Sequence, residues 1–310
     1  MAPLKWERAV ASALRLARNR PGVMGVDFGF VYKNGKRLST RGVRFHVGQK
    51  MPFNELPPEH ILPSKVHDFR SDVVEASYSL HASARQICDP IQPGVSIGNL
   101  QRATTGTVGL GVRDRHAGGN AVLSNWHVLC GSPDAKAGEQ ICQPGPLHLG
   151  TRTASVVASL ERWAQLDVGC DAALALMGPG ISIQQTLFDT KITISGSERP
   201  GLNMKLVKYG VVSGLTHGMT DGIGGAYKVD YSSYGDTLRW IDGIRIVVDP
   251  DAPEKEISLA GDSGAVWVNP VTGKAVALHF AGEDGLGPTA EYALAQPLQR
   301  VLDLLDADLT

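Results

Sequence analysis

Apolar positions fall in two rhythms along this chain. Trp6, Ala9, Val10, Ala13, Leu14 and Ala17 recur at helical spacing, with Arg and Lys on the other side, so residues 3–19 are expected to form an amphipathic helix. Pro21-Gly22 ends it. Met24–Tyr32 and Arg41–Val47 read as strands, and between them Lys33-Asn34-Gly35-Lys36 carries the Asn-Gly of a tight hairpin. A stretch punctuated by Pro52, Pro57, Pro58 and Pro63 follows. Residues 1–95 are therefore expected to be a small α+β extension, joined to the rest through a segment containing Pro90 and Pro93.

From about residue 100 the helical period disappears. Short β-rich runs recur between Gly, Asn, Asp and Pro: Thr105–Val112, Ala121–Ser124, Ala172–Met177, Met204–Val212, Ile244–Val248, Ala265–Val268 and Ala275–Phe280. Many short strands with turn signals predict an all-β barrel or sandwich. Leu298, Val301, Leu302 and Leu305 share one helical face, so a closing helix is expected over 297–306.

Composition narrows the function classes. The 36 glycines suit a chain of tight turns. A formal net charge of −1 gives no bulk attraction to nucleic acid or to an anionic membrane, and neither is expected as a partner. No stretch is long and apolar enough to span a bilayer. Glu7, Arg8, Arg15 and Arg18 interrupt any secretory apolar segment, so a cytoplasmic location is expected, with an Arg-rich mitochondrial presequence as the alternative. Cys88, Cys130, Cys142 and Cys170 form no CxxC and are expected to be reduced thiols. The histidines form no HExxH or Cys/His cluster, and neither a metal nor another cofactor is expected.

Three segments carry candidate chemistry. Leu123-Ser124-Asn125-Trp126-His127 is a strand running into a histidine, Cys170-Asp171-Ala172-Ala173-Leu174 an aspartate entering an apolar strand, and Gly261-Asp262-Ser263-Gly264 a serine between glycines. A serine hydroxyl needs an adjacent base, and that base needs a third group to fix its tautomer. Histidine suits the base because its ordinary pKa is about 6.5. Asp167 competes with Asp171 for the third role, but it sits in a more polar stretch and reads as a turn residue. Glycines beside Ser263 permit a turn in which the N–H groups of Gly261 and Ser263 converge as an oxyanion hole.

Taken together, in the order His, Asp, Ser, these segments resemble the chymotrypsin-like serine peptidases. Lys208-Tyr209-Gly210-Val211-Val212-Ser213-Gly214 also resembles the Gly-rich start of the second barrel in bacterial and intracellular members. Residues 1–95 are similar, more loosely, to the extension of bacterial trypsin-like proteins and their plant relatives. The resemblance implies two six-stranded antiparallel β-barrels, at about 100–188 and 189–296. It implies His127, Asp171 and Ser263 as the catalytic triad of a serine endopeptidase acting on a protein or peptide. No Ile-Val-Gly-Gly activation motif precedes the first barrel. In secreted zymogens of the family a new N-terminus pairs with the Asp before the nucleophile, here Asp262, so Asp262 is expected to find local backbone or side-chain partners instead.

The resemblance also implies a specificity pocket lined by Ile257, Ser258, His279, Phe280 and Gly282. A His at 279, with a hydroxyl residue five before the nucleophile, is similar to glutamyl endopeptidases and viral 3C-type proteases, implying Glu, Gln or Asp before the scissile bond. A small apolar pocket with a structural His279 is the alternative. An α/β-hydrolase would need the order Ser, Asp, His and more chain after Ser263. A catalytically silent binding or scaffold protein on the same fold, and a regulatory partner for residues 1–95, are both compatible with the sequence.

Overall fold

A computed structural model describes residues 3–33, 36–76, 83–253, 256–283 and 291–310. The chain divides into two compact units, Met1–His81 and Ala82–Thr310.

In the smaller unit, helix α1 (Lys5–Ala17) buries Ala9 and Ala13 on a sheet that contributes Val43, Phe45 and Val66. Trp6, Leu14 and Leu16 stay partly exposed, so the buried face is narrower than the apolar pattern predicts. Strands β1 (Val23–Lys33), β2 (Lys36–Val47), β3 (Lys65–Val66) and β4 (Phe69–Glu75) stand in the order β1-β2-β4-β3. The β1–β2 pair is the expected hairpin, with Lys33 opposite Lys36. The Asn34-Gly35 turn itself lies outside the described residues. β2 and β4 run parallel, which makes the sheet mixed.

The expected boundary at residue 95 is corrected. Residues 82–95 belong to the larger unit, where Ala84, Ile91 and Val95 are buried in its largest core. The prolines at 90 and 93 suggested a linker, but Ile91 N–H donates to Ser182 O and Gly94 N–H to Val108 O, which ties this segment into the barrel.

The first barrel is built from β5 (Ser96–Asn99), β6 (Gly106–Thr107), β7 (Leu110–Asp114), β8 (Asn120–Ser124), β9 (Gln140–Gln143), β10 (Ser155–Trp163) and β11 (Ala173–Met177). Short helix α2 (Trp126–Leu129) follows β8. These strands lie in the order β7-β8-β11-β10-β9-β5-β6. Because β6 runs almost directly into β7, the two ends of the sheet are one bent stretch, 106–114. Val108 N–H reaches Val95 O on one side of the bend, and Gly109 N–H reaches Leu123 O on the other. Counted that way the barrel has its expected six strands. An eighth strand of the sheet, β18 (Ala307–Leu309), comes from the C-terminus and pairs with β7.

The second barrel is closed: β12 (Lys205–Gly210), β13 (Gly214–Asp230), β14 (Leu238–Val248), β17 (Tyr292–Pro297), β16 (Lys274–Gly282) and β15 (Val266–Asn269), in that order around it. Leu206, Ile244, Ile246, Trp267 and Val276 fill its interior. Helix α3 (Leu298–Leu304) buries Leu298, Val301 and Leu302 in a core shared with Leu110 and Leu123 of the first barrel and Val266 and Val268 of the second. No helix among the described residues is long and apolar enough to cross a membrane.

Candidate active site

Strand β8 ends at Ser124 and the chain turns into α2, so His127, just past the strand, projects from a helical turn. All four residues of α2 are buried, which anchors the turn. Asp171 lies just before β11, whose pairing with β8 brings Ala173 opposite Ser124. That register sets the aspartate beside the histidine. Its Oδ2 accepts from His127 Nδ1 at 2.6 Å, and its Oδ1 accepts the His127 backbone N–H at 3.2 Å. A carboxylate oxygen accepts, so Nδ1 is the donor of this bond and Nε2 is left able to accept. Asp171 is fully buried and His127 is 8% exposed. Asp167, the rival, is exposed in a 3-10 turn.

Ser263 stands in a turn between the barrels' facing ends. A side chain at Gly106 would run into both Val128, the residue after His127, and Ser263 O, the latter at 2.7 Å. Gly106 therefore marks where the nucleophile segment and the histidine turn close on each other. Ser263 is half-buried, and its hydroxyl donates to Phe280 O at 3.4 Å in this state. Gly261 has φ +108°, a region that favours glycine, within a turn closed by Asp262 N–H to Leu259 O at 2.9 Å. Among the described residues, neither the Gly261 N–H nor the Ser263 N–H is spent on another part of the chain.

Two residues that hold this turn were not singled out from the sequence. Thr107 donates its hydroxyl to Gly261 O at 2.9 Å and its N–H to Ser263 O at 2.8 Å. Lys208, wholly buried, puts Nζ 2.8 Å from Asp262 Oδ2 and also bonds Ser213 Oγ. The Asp262 carboxylate accepts further from the N–H groups of Val212, Ser213 and Leu259. Burial alone would raise the Asp262 carboxyl, but the Lys208 ammonium and the Ser213 donor hold it down to about 2. Burial draws the Lys208 ammonium down from its ordinary value, and the carboxylate works against that. A buried lysine, together with backbone donors, thus fills the partner role that the absent activation motif left open.

The expected pocket residues divide. Ser258 Oγ and His279 Nε2 are bonded at 2.9 Å, and a side chain at Gly282 would come within 2.5 Å of Ser258 Oγ, so these three converge. Burial pushes the His279 imidazole down to about 3, with the Lys208 charge adding to the effect, so it stays neutral near pH 7. Ile257 does not join them. It is fully buried in the core of the second barrel, and its carbonyl accepts from Thr216, so its assignment as a substrate-binding side chain is corrected. Phe280 is also buried in a core, and what it presents to Ser263 is its carbonyl oxygen. Both faces of β16 are buried, because the barrel lies on one side and the shared core on the other. All four cysteines are free, and burial pushes Cys142 to about 11 and Cys170 to about 12. No cluster of metal-ligating side chains occurs among the described residues.

No protein-family model and no curated protein sequence matches the chain. Solved structures do. A Nocardiopsis protease is 15% identical over 72% of this chain and 99% of its own, with a TM-score of 0.52. A Cellulomonas bogoriensis chymotrypsin is 15% identical over 72% of this chain and 99% of its own, with a TM-score of 0.50. A glutamic acid specific serine protease, described as using a histidine triad in substrate binding, is 17% identical over 71% of this chain and all of its own, with a TM-score of 0.53. The barrels described above are, by this likeness, those of the chymotrypsin-like serine protease fold.

Proposed function

We propose that this chain is a serine endopeptidase that cleaves peptide bonds through an acyl-enzyme. The observation that carries the reading is the coincidence, at one meeting of two barrels, of an oriented His–Asp pair, an accessible serine and two uncommitted N–H donors. Ser263 Oγ turns from Phe280 O towards His127 Nε2, gives up its proton and bonds the substrate carbonyl carbon. The N–H groups of Gly261 and Ser263 take the resulting oxyanion, a contribution of roughly 3–4 kcal/mol per donor in the transition state. Collapse breaks the C–N bond, and His127 returns the proton to the leaving amine. Water, deprotonated by the same imidazole, then releases the acid. Lys208 favours a site formed without N-terminal processing, because it already neutralises Asp262.

A fluorophosphonate probe tests this directly. The protein labels at Ser263, and Ser263→Ala does not. A wild-type protein that stays unlabelled at millimolar probe would leave the scaffold reading standing.

The Ser258–His279 pair supports a finer reading, a preference for a substrate side chain ending in an amide or carboxylate before the scissile bond. Held neutral, His279 offers such a side chain a hydrogen bond rather than a charge. Peptide libraries varied at that position would decide. Dominance of Leu, Phe or Arg, unchanged in His279→Ala, would sink it.

A further inference from the structure

Asp171 belongs to the first barrel, yet side chains of the second hold it. Gln296 on β17 grips its backbone from both sides, with Oε1 accepting the Asp171 N–H and Nε2 donating to Asp171 O, each at 2.8 Å. Tyr231, the residue after β13, donates its phenol to Asp171 Oδ2 at 2.8 Å, the same oxygen that accepts His127 Nδ1. Its ring is 2% exposed and stands edge-on to Trp126, with 6.1 Å between centroids, so the hydroxyl is fixed in place. Tyr234, in the same connection, lies 5.3 Å from the His127 imidazole.

We propose that Tyr231 is a positioning residue of the triad, holding the Asp171 carboxylate in line with His127 from across the barrel boundary; this rests on the peptidase reading above. The carboxylate is wholly buried, and without the phenol one lone pair of Oδ2 would have no donor. Its remaining contacts, both to His127, would leave its tilt about the Cβ–Cγ bond poorly fixed. The phenol also draws part of the carboxylate's charge to itself. Burial and the neighbouring carboxylate push the Tyr231 phenol far above its ordinary range, so it remains a donor at any working pH. The titratable groups that face this pair are Tyr234, His279 on β16, and the thiols Cys130 and Cys170, which remain protonated.

Tyr231→Phe keeps the ring and removes the donor. The phenol does not touch substrate, so kcat should fall about tenfold with KM unchanged, the scale of a hydrogen bond to a charged group. With the carboxylate's charge no longer shared, the imidazolium is favoured, and the acid limb of the kcat/KM profile should rise by about half a pH unit. The His127 Nδ1 proton, followed by NMR, should show its titration midpoint moving the same way. A limb and midpoint that stay in place overturn the proposal, whatever happens to kcat, because a merely structural tyrosine would leave them there. If the Phe variant does not fold, 2,3-difluorotyrosine at position 231 keeps the shape and strengthens the donor. The midpoint should then fall, and an unmoved midpoint again overturns the proposal. The NMR readout needs no turnover. If the wild type fails to label with fluorophosphonate, the peptidase reading falls while the coupling of Tyr231 to His127 is still measured.

Discussion

The two barrels make unequal contributions to one site. The first supplies the His–Asp pair from a helical turn and a strand start, positions set by ordinary β8–β11 pairing. The second supplies Ser263, the candidate nucleophile, the two free N–H groups and the buried cluster of Lys208, Asp262 and His279. It also reaches back, through Tyr231 and Gln296, to hold the aspartate of the first. In the first barrel the Arg102–Glu139 ion pair keeps its side chains 26% and 12% exposed, while both members of Lys208–Asp262 in the second are wholly buried. The Arg102–Glu139 pair can relax into solvent. The Lys208–Asp262 pair cannot, so the geometry around it depends on pairing.

The sharpest break is at the dyad. Asp171→Asn removes the acceptor that fixes the His127 tautomer while leaving the size of the side chain unchanged. kcat should fall on the order of 10⁴, the cost of the same change in chymotrypsin-type enzymes. Circular dichroism and urea midpoint should move little by comparison. A variant within tenfold of wild type would mean that the hydrogen bond at 2.6 Å does not orient the base.

Lys208→Met separates the barrels energetically. It leaves the buried Asp262 carboxylate without its countercharge, which should cost about 3–5 kcal/mol in urea unfolding. Arg102→Met, at the half-exposed pair of the first barrel, should cost about 1 kcal/mol or less. Equal losses would erase the contrast between the barrels. Labelling at Ser263 should fail in Lys208→Met even where the protein folds, because the turn carrying Gly261 hangs on Asp262.

Much of this site was legible before any coordinates. The candidate triad stands out because nucleophilic catalysis demands particular residue types, and those are written in short local segments such as Gly261-Asp262-Ser263-Gly264. Residues that act across the fold left no such trace. Tyr231 follows β13, a 17-residue strand whose Gly218, Gly222, Gly224 and Gly225 interrupt any alternating apolar pattern. Lys208 sat inside a segment noticed for its glycines, and nothing local marks a lysine as buried. Ile257 was placed in the pocket by its distance from Ser263, but its face is decided by barrel packing with Trp267 and Leu206. The extension was drawn too long because prolines mark both linkers and barrel edges, and only long-range bonds such as Ile91 N–H to Ser182 O separate the two.

An effect smaller than that of Lys208→Met follows from His279 and falls on the second barrel alone. Its imidazole is held at about 3 in the folded chain by burial, against an ordinary value near 6.5. Unfolding frees it to bind a proton at any pH between those values. The unfolded state therefore binds more protons across this window, so stability is full above about 6.5 and is lost as pH falls. Between pH 7 and pH 5 this one group should cost about 2 kcal/mol. Asp262, held at about 2, adds its loss only below its ordinary 3.8, so the two are separated in pH. Urea midpoints at pH 7 and pH 5 read the effect, and His279→Gln, which cannot titrate, should flatten the slope by that amount. If the variant and the wild type lose stability in parallel over this range, His279 already shares a proton in the folded barrel. The neutral pocket inferred for substrate recognition would then be wrong as well.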